Sequence, residues 1–294
     1  MPRSTVLLPW NEAMTKKSSH RCEPNTGHIT QCRVLAQVAA KQSFGDMVRL
    51  TLRVHGWMGA RAGQFVLLQS EPSRFFLGRA LSVSLQDGED VSFLVSPVGE
   101  GTRELCALVV GSQVWVLGPL GNGFDLEAVS ARAERVVLVA GGAGVAPMPL
   151  LMSQCRMSIG SLLVLAGFRD ARQALAARVL VEQIEKANDD GRDWVYEVCT
   201  EDGSQGRRGK VTDLLREHVR PGDNVVVCGP EAMARSVWQV CRDVPEVRSW
   251  FSLEAAMACG VGSCHGCVVK LADGSYSRVC REGPVFEGEA VFGA

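Results

Sequence analysis

The strongest constraint on the fold is a change of hydrophobic rhythm near residue 134. From about residue 30 to 125, apolar residues come in short alternating runs: "CRVLAQVAA", "DMVRLTLRV", "QFVLLQ", "ALSVSL", "VSFLVSP" and "QVWVLGP". Each run is bounded by Gly, Ser, Asp or Pro, a pattern that predicts an antiparallel barrel or sandwich with one face of every strand in a core. Beyond 134, "RVVLVAGG" is apolar without alternation, as a strand covered on both faces of a parallel sheet must be. Then follow a helical stretch, "SLLVLAGF", a long helix around "ARQALAARVLVEQIEKA", "DWVYEVCT", a helix near "VTDLLREH", and "NVVVCGP" with "EAMARSVWQVCRD". Strands alternating with helices predict βαβ units and a doubly wound sheet. The last forty or so residues are Gly- and Cys-rich, with short strands such as "GCVVKL".

The expectation is therefore a multidomain chain without internal repeats. A disordered N-terminal extension covers 1–29 and an antiparallel β-barrel domain 30–130. An α/β doubly wound nucleotide domain covers 131–250 and a small module 251–294. A length of 294 residues is more than one core usually serves. The net charge of -1 and the lack of a long basic run exclude nucleic acid and anionic membrane surfaces as obvious partners. "VVLVAGGAGVAPMPLLM", the longest uncharged stretch, is broken by three glycines and two prolines, so no membrane span is expected. The apolar core of the first residues is too short for a secretory signal, which points to the cytoplasm. In that reducing setting, eleven cysteines suggest metal binding or catalysis before disulfides. Cys32, Cys106, Cys155, Cys199, Cys228 and Cys241 lie mostly in apolar surroundings and read as small buried side chains.

Cys259, Cys264, Cys267 and Cys280 differ from these. Their spacing is C-x4-C-x2-C, twelve residues, then C, the plant-type arrangement for a [2Fe–2S] cluster held by four thiolates. Gly260, Gly262 and Gly266 let such a loop turn sharply and bring backbone N–H groups near sulfur. A zinc site normally shows two separated C-x2-C pairs, and four unligated cysteines is the remaining alternative. His265, between two of these thiols, reads as a solvent-facing loop residue.

Earlier in the chain, "GRALSVS" places Arg79 and Ser82 three apart on a strand. A cation there can neutralise a pyrophosphate, and a hydroxyl can bond a flavin edge. In "GEGTREL", Gly101 and Thr102 open a helix whose N–H groups form a phosphate site. "VVLVAGGAGVAPM" runs from a strand through Gly141, Gly142 and Gly144 into a helix near Pro147, so a backbone can approach a pyrophosphate there. Cys228, Gly229 and Pro230 repeat that logic at a later strand end. Either set of glycines could instead serve tight packing alone. After "LLVLAGF", Arg169 and Asp170 pull in opposite directions on NADP against NAD.

Taken in order, R-x-x-S, G-T at a helix start, G-G-x-G-x-A-P and C-G-P resemble the ferredoxin–NADP reductase superfamily. "GPLGNGF", the C-terminal cysteines and "CREGPVF" are similar to the electron-transfer subunits of NAD-dependent (type B) dihydroorotate dehydrogenases, over about 30 to 294. The resemblance implies FAD, a [2Fe–2S] cluster and NAD as cofactors. It implies FAD contacts at Arg79, Ala80, Leu81, Ser82, Leu94, Val95, Ser96, Gly101 and Thr102, and cluster ligands at Cys259, Cys264, Cys267 and Cys280. The implied partner is an FMN-containing dihydroorotate dehydrogenase catalytic subunit, in a heterotetramer of two plus two serving pyrimidine biosynthesis. Departures are Ala80 in place of a common Pro, "AGQF" without a Pro before Gly63, and "SCHGC" in place of a more aromatic loop. The implied activity is an oxidoreductase subunit passing electrons through [2Fe–2S] and FAD to NAD+. A reductase subunit serving a sulfite reductase, hydrogenase or ferredoxin is the alternative. Such a conduit requires no general base, and no convincing His/Asp pair is present.

Overall fold

The computed structural model describes residues 33–131 and 135–293. The expectations for residues 1–29 and for Cys32 lie outside the described residues.

The first half builds one antiparallel sheet. Its strands are β1 (Arg33–Phe44), β2 (Met47–Arg53), β3 (Phe65–Glu71), β4 (Arg79–Ser82), β5 (Leu85–Asp87), β6 (Asp90–Val95) and, after helix α1 (Glu100–Ala107), β7 (Gln113–Leu120). The order is β4-β3-β7-β1-β2-β6-β5, and β4 lies against β6, so the sheet curls into a half-barrel. Alternation shows in the burial: Leu50 and Leu52 on β2 are fully buried while Arg49, Thr51 and Arg53 look outward. Each such aliphatic contributes about 1.5–3 kcal/mol relative to exposure.

After α2 (Leu126–Ser130) the nucleotide half begins. It comprises β8 (Val136–Gly141), α3 (Met148–Cys155), β9 (Ser161–Phe168), α4 (Ala171–Ala174), α5 (Arg178–Asp189), β10 (Asp193–Thr200), β11 (Arg207–Arg208), α6 (Val211–His218), β12 (Asn224–Cys228), α7 (Glu231–Arg242) and β13 (Arg248–Ser252). All six residues of β8 are buried, which is why its sequence does not alternate. The long helix expected over 171–187 is broken: α4 gives way to a 3-10 turn at Leu175–Ala177 before α5. Ala176 and Ala177 are buried there, and packing overrides helix propensity.

The last segment carries a hairpin, β14 (Val268–Lys270) and β15 (Tyr276–Arg278), then β16 (Val285–Glu287) and α8 (Gly288–Phe292). β16 pairs antiparallel with β13, so the tail is stitched into the nucleotide sheet, whose order is β11-β10-β9-β8-β12-β13-β16. The strand order reverses between β8 and β12. Such a switch point opens a crevice beyond the carboxyl ends of the strands.

Candidate functional site

Register explains how two distant motifs meet. β8 and β12 pair with Ala140 opposite Cys228, so the glycine turn after β8 and the Cys228–Pro230 turn emerge side by side. A Cβ on Gly144 would collide with the Cys228 carbonyl, so only glycine permits this approach. A cavity of about 500 Å³ opens over the two turns. Gly141, Gly142 and Pro230 line it, together with Ser96 of the half-barrel. Cys228 lies beneath, buried, its thiol pushed up to about 12 by burial and by the Glu254 carboxylate. It offers backbone to the site, not thiolate.

The far wall of this cavity carries Arg169, Glu201 and Lys210. Asp170 is engaged elsewhere: its carboxylate caps α4 by accepting the Gln173 N–H at 2.9 Å. Of the two residues singled out in the sequence, only Arg169 reaches the cavity. Glu201, in the turn directly after β10, is the carboxylate that sequence reading missed, because no motif marks it.

On the half-barrel, β4 presents Arg79 to the start of α1. A Cβ on Gly101 would overlap the Arg79 guanidinium, so the cation and the first turn of the helix share one small space. The Phe75 ring lies 5.3 Å from the Arg79 guanidinium carbon. Nearby Glu104 is occupied, accepting from Ser70, from Ser73 at 2.7 Å and from the Arg74 N–H at 3.3 Å. Those bonds, Ser70 foremost, hold its carboxyl below the usual range. Arg79 is left without a carboxylate partner among the described residues. The Thr102 hydroxyl caps its own helix, accepting from Gly99 N and donating to Gly99 O, each at 3.0 Å. It leaves backbone N–H groups to an anion. Leu94 and Val95 are buried in the sheet and Ser96 faces the cavity; on β4, Ala80 is exposed, Leu81 packs half-buried against the core and Ser82 is half-buried. An unpaired guanidinium facing a helix N-terminus suits the pyrophosphate of a dinucleotide such as FAD.

The cysteine loop packs on that same sheet. Gly260 has φ +67°, and a Cβ there would press on the Leu67 and Leu120 side chains at 2.9 and 3.0 Å. Leu67 faces Ala80 of β4 across the ladder. The loop thus rests one strand from the Arg79 segment. Phe65, Leu67, Leu120, Val279, Cys267 and Cys280 form a common core. Backbone N–H groups reach three of the four sulfurs: that of Cys264 donates to Cys259 at 3.5 Å, that of Gly266 to Cys264 at 3.4 Å, and that of Cys280 to Cys267 at 3.4 Å. Amide donors directed at sulfur suit the thiolates of an iron–sulfur centre.

Burial opposes ionisation of Cys259, yet N–H groups of Cys264, Val261 and Ser263, with the Cys264 thiol, outweigh it and draw the thiol down to about 6. Burial and the neighbouring Cys267 push Cys280 up to about 12. His265 is exposed, with φ 56°. Cys155, Cys199 and Cys241 are buried as expected, and Cys106 is half-buried.

Comparison with known proteins follows these divisions. Residues 254–292 match the family model for the iron–sulfur cluster binding domain of dihydroorotate dehydrogenase B, and 138–239 that for an oxidoreductase NAD-binding domain. The dihydroorotate dehydrogenase B (NAD(+)) electron transfer subunit of Clostridium perfringens is 37% identical over 77% of this chain and 85% of its own length. That of Caldanaerobacter subterraneus is 35% identical over 80% and 89%. Among solved structures, an NADH-dependent reduced ferredoxin-NADP oxidoreductase aligns with TM-score 0.75 and 27% identity, covering 88% of this chain and 90% of that one. A ferredoxin NADP+ reductase from Neisseria gonorrhoeae with bound FAD and NADP, at TM-score 0.59 and 15% identity, shares the fold.

Proposed function

This chain belongs to the family of dihydroorotate dehydrogenase B (NAD(+)) electron transfer subunits, and from that premise we propose which of its residues carry the electron transfer and what it docks to. The protein is an FAD- and [2Fe–2S]-dependent, NAD-linked oxidoreductase subunit. When bound, the cluster exchanges single electrons, NAD+ accepts a hydride, and the flavin serves both, so it stands between them.

Cys259, Cys264, Cys267 and Cys280 hold the cluster. Arg79 and the N–H groups at Gly101 and Thr102 take the FAD pyrophosphate, while Ala80 to Ser82 and Leu94 to Ser96 border the flavin. Gly141, Gly142 and the 228–230 turn receive NAD, with Gly144 securing their approach and Glu201 available to the ribose hydroxyls. The observation that carries this reading is the seating of the cysteine loop on Leu67, directly across the ladder from Ala80 on the Arg79 strand. The chain needs no acid or base of its own for this work: its residues bind, orient and exclude water.

The partner is the catalytic subunit that the family's name implies. We assign it an FMN centre, a two-plus-two assembly and a place in cytoplasmic pyrimidine biosynthesis. Nine unpaired cysteines among the described residues accord with a reducing compartment. In the complex, Cys259→Ser is expected to abolish dihydroorotate-driven NAD+ reduction while sparing NADH oxidation by a dye that accepts electrons at FAD. Loss of dye reduction in a folded, FAD-loaded variant contradicts the proposed order of centres. Recovery from the source cell of a partner without FMN contradicts the proposed docking.

A further inference from the structure

Arg278, the last residue of β15, lies outside every motif discussed so far, yet it ties the two halves of the cysteine module together. Its Nη1 donates to the Gly262 carbonyl at 3.0 Å, inside the loop between Cys259 and Cys264. Its Nε donates to Glu282 at 3.0 Å, and Nη2 completes a forked pair with the same carboxylate. The Arg278 backbone joins in: its N–H donates to Glu282 at 2.9 Å, and its carbonyl accepts from Arg281, Glu282 and Gly283. The turn bearing Cys280 is wound about this one residue.

The grip on Gly262 has a consequence across the peptide bond. In a trans peptide the carbonyl and the next N–H point in opposite directions. Fixing the Gly262 oxygen therefore fixes the plane of the next peptide and the path of the chain into Cys264, whose N–H donates to the Cys259 sulfur at 3.5 Å. Arg278 also stands two positions before Cys280, whose N–H donates to the Cys267 sulfur at 3.4 Å, so its charge belongs to the turn that joins these two cysteines. Only a quarter of its side chain is exposed, so water screens this charge incompletely.

We propose that Arg278 is a positioning residue that raises the reduction potential of the cluster, by holding the Gly262–Cys264 segment whose N–H meets Cys259 and placing a positive charge on the turn that carries Cys280. Reduction adds one electron to a centre already carrying thiolate charge, so a nearby cation and N–H donors to sulfur favour the reduced form. Glu282 has the opposite sign of influence. It anchors the fork and partly offsets its charge. The inference rests on the cluster assignment made above.

The test is a potentiometric titration of the full-length protein, anaerobically purified, with the cluster followed by electron paramagnetic resonance and iron counted per chain. Arg278→Gln is expected to weaken the cluster's affinity for an electron about tenfold, a fall of about 59 mV for a one-electron couple. Arg278→Lys, which keeps the charge and loses the fork, is expected between that variant and the parent. Glu282→Gln is expected to move the midpoint the other way.

Loaded Arg278→Gln with an unchanged midpoint overturns the proposal, as does a shift of the same sign in Arg278→Gln and Glu282→Gln. If Arg278→Gln does not load iron, Glu282→Gln decides alone: a raised midpoint supports the proposal and an unchanged one overturns it. A parent protein that binds no cluster contradicts the underlying assignment as well, which separates the two failures.

Discussion

The dipeptide Cys-Gly occurs at two turns of this molecule with opposite chemistry. At 228–229 it closes a strand buried on both faces, and at 259–260 it opens a loop lying on the half-barrel. The first thiol is pushed up to about 12, because burial withdraws it from water and Glu254 repels its anion. The second is drawn down to about 6: burial opposes its ionisation, but the N–H groups of Cys264, Val261 and Ser263 and the Cys264 thiol together outweigh it. Composition is the same in both places. What differs at these two positions is whether the backbone turns its donors toward the sulfur, which sets how readily each thiol ionises.

The largest effect that should follow is on iron. Cys259→Ser is expected to leave the protein without its cluster, whereas Cys228→Ser keeps iron and flavin at parental levels. Colorimetric iron analysis beside a visible spectrum checks both, and equal iron loss in the two variants breaks the comparison. Next comes flavin. Arg79→Ala removes charge-assisted bonds of about 1.5–3 kcal/mol to a phosphate. FAD binding should weaken about tenfold to a hundredfold, measured by fluorescence as FAD is released.

Alanine at the glycines gives a smaller contrast. Gly144→Ala forces a Cβ into the Cys228 carbonyl, a strain of about 1–3 kcal/mol that should raise the Kd for NADH by about tenfold in a fluorescence titration. Gly260→Ala strains a left-handed residue by about 1–2 kcal/mol and presses on Leu67 and Leu120. It should lower cluster retention during storage and leave NADH binding alone. The subtlest test is alkylation of the iron-free chain. Because Cys259 is drawn down to about 6, its iodoacetamide reactivity should be near full at pH 7 and fall to half near pH 6. Cys228 should stay unreactive throughout. A Cys259 profile centred above pH 8 removes the proposed donors.

Much of this was written in local pattern. Alternating runs declared the antiparallel sheet, the unbroken "VVLVAG" declared a strand covered on both faces, and cysteine spacing declared the cluster loop. The rest depends on which distant pieces become neighbours. Nothing in "VVVCGP" says that it pairs with "VVLVAGG" and not with another strand, yet that pairing makes the cavity. β16 lies in the cysteine-rich tail but joins the nucleotide sheet, an exchange set by edge pairing with β13. The break at Leu175–Ala177 carries no Gly or Pro to announce it. Asp170 looked like a coenzyme determinant and is a helix cap, while Glu201 took a place on the cavity wall. Arg278 has no motif at all. Its importance comes from meeting the Gly262 carbonyl sixteen positions away.

The central claim is that the four-cysteine loop and the Arg79 segment, one strand apart, are a single electrical path. Its most direct test adds NADH to the anaerobic protein, with flavin bleaching and the iron resonance signal followed together. Flavin bleaching followed by growth of the iron signal within the same turnover is the result the proposed path predicts. Bleached flavin beside iron that only dithionite reduces, across the range of potentials NADH can reach, would mean that the contact through Leu67 carries no current.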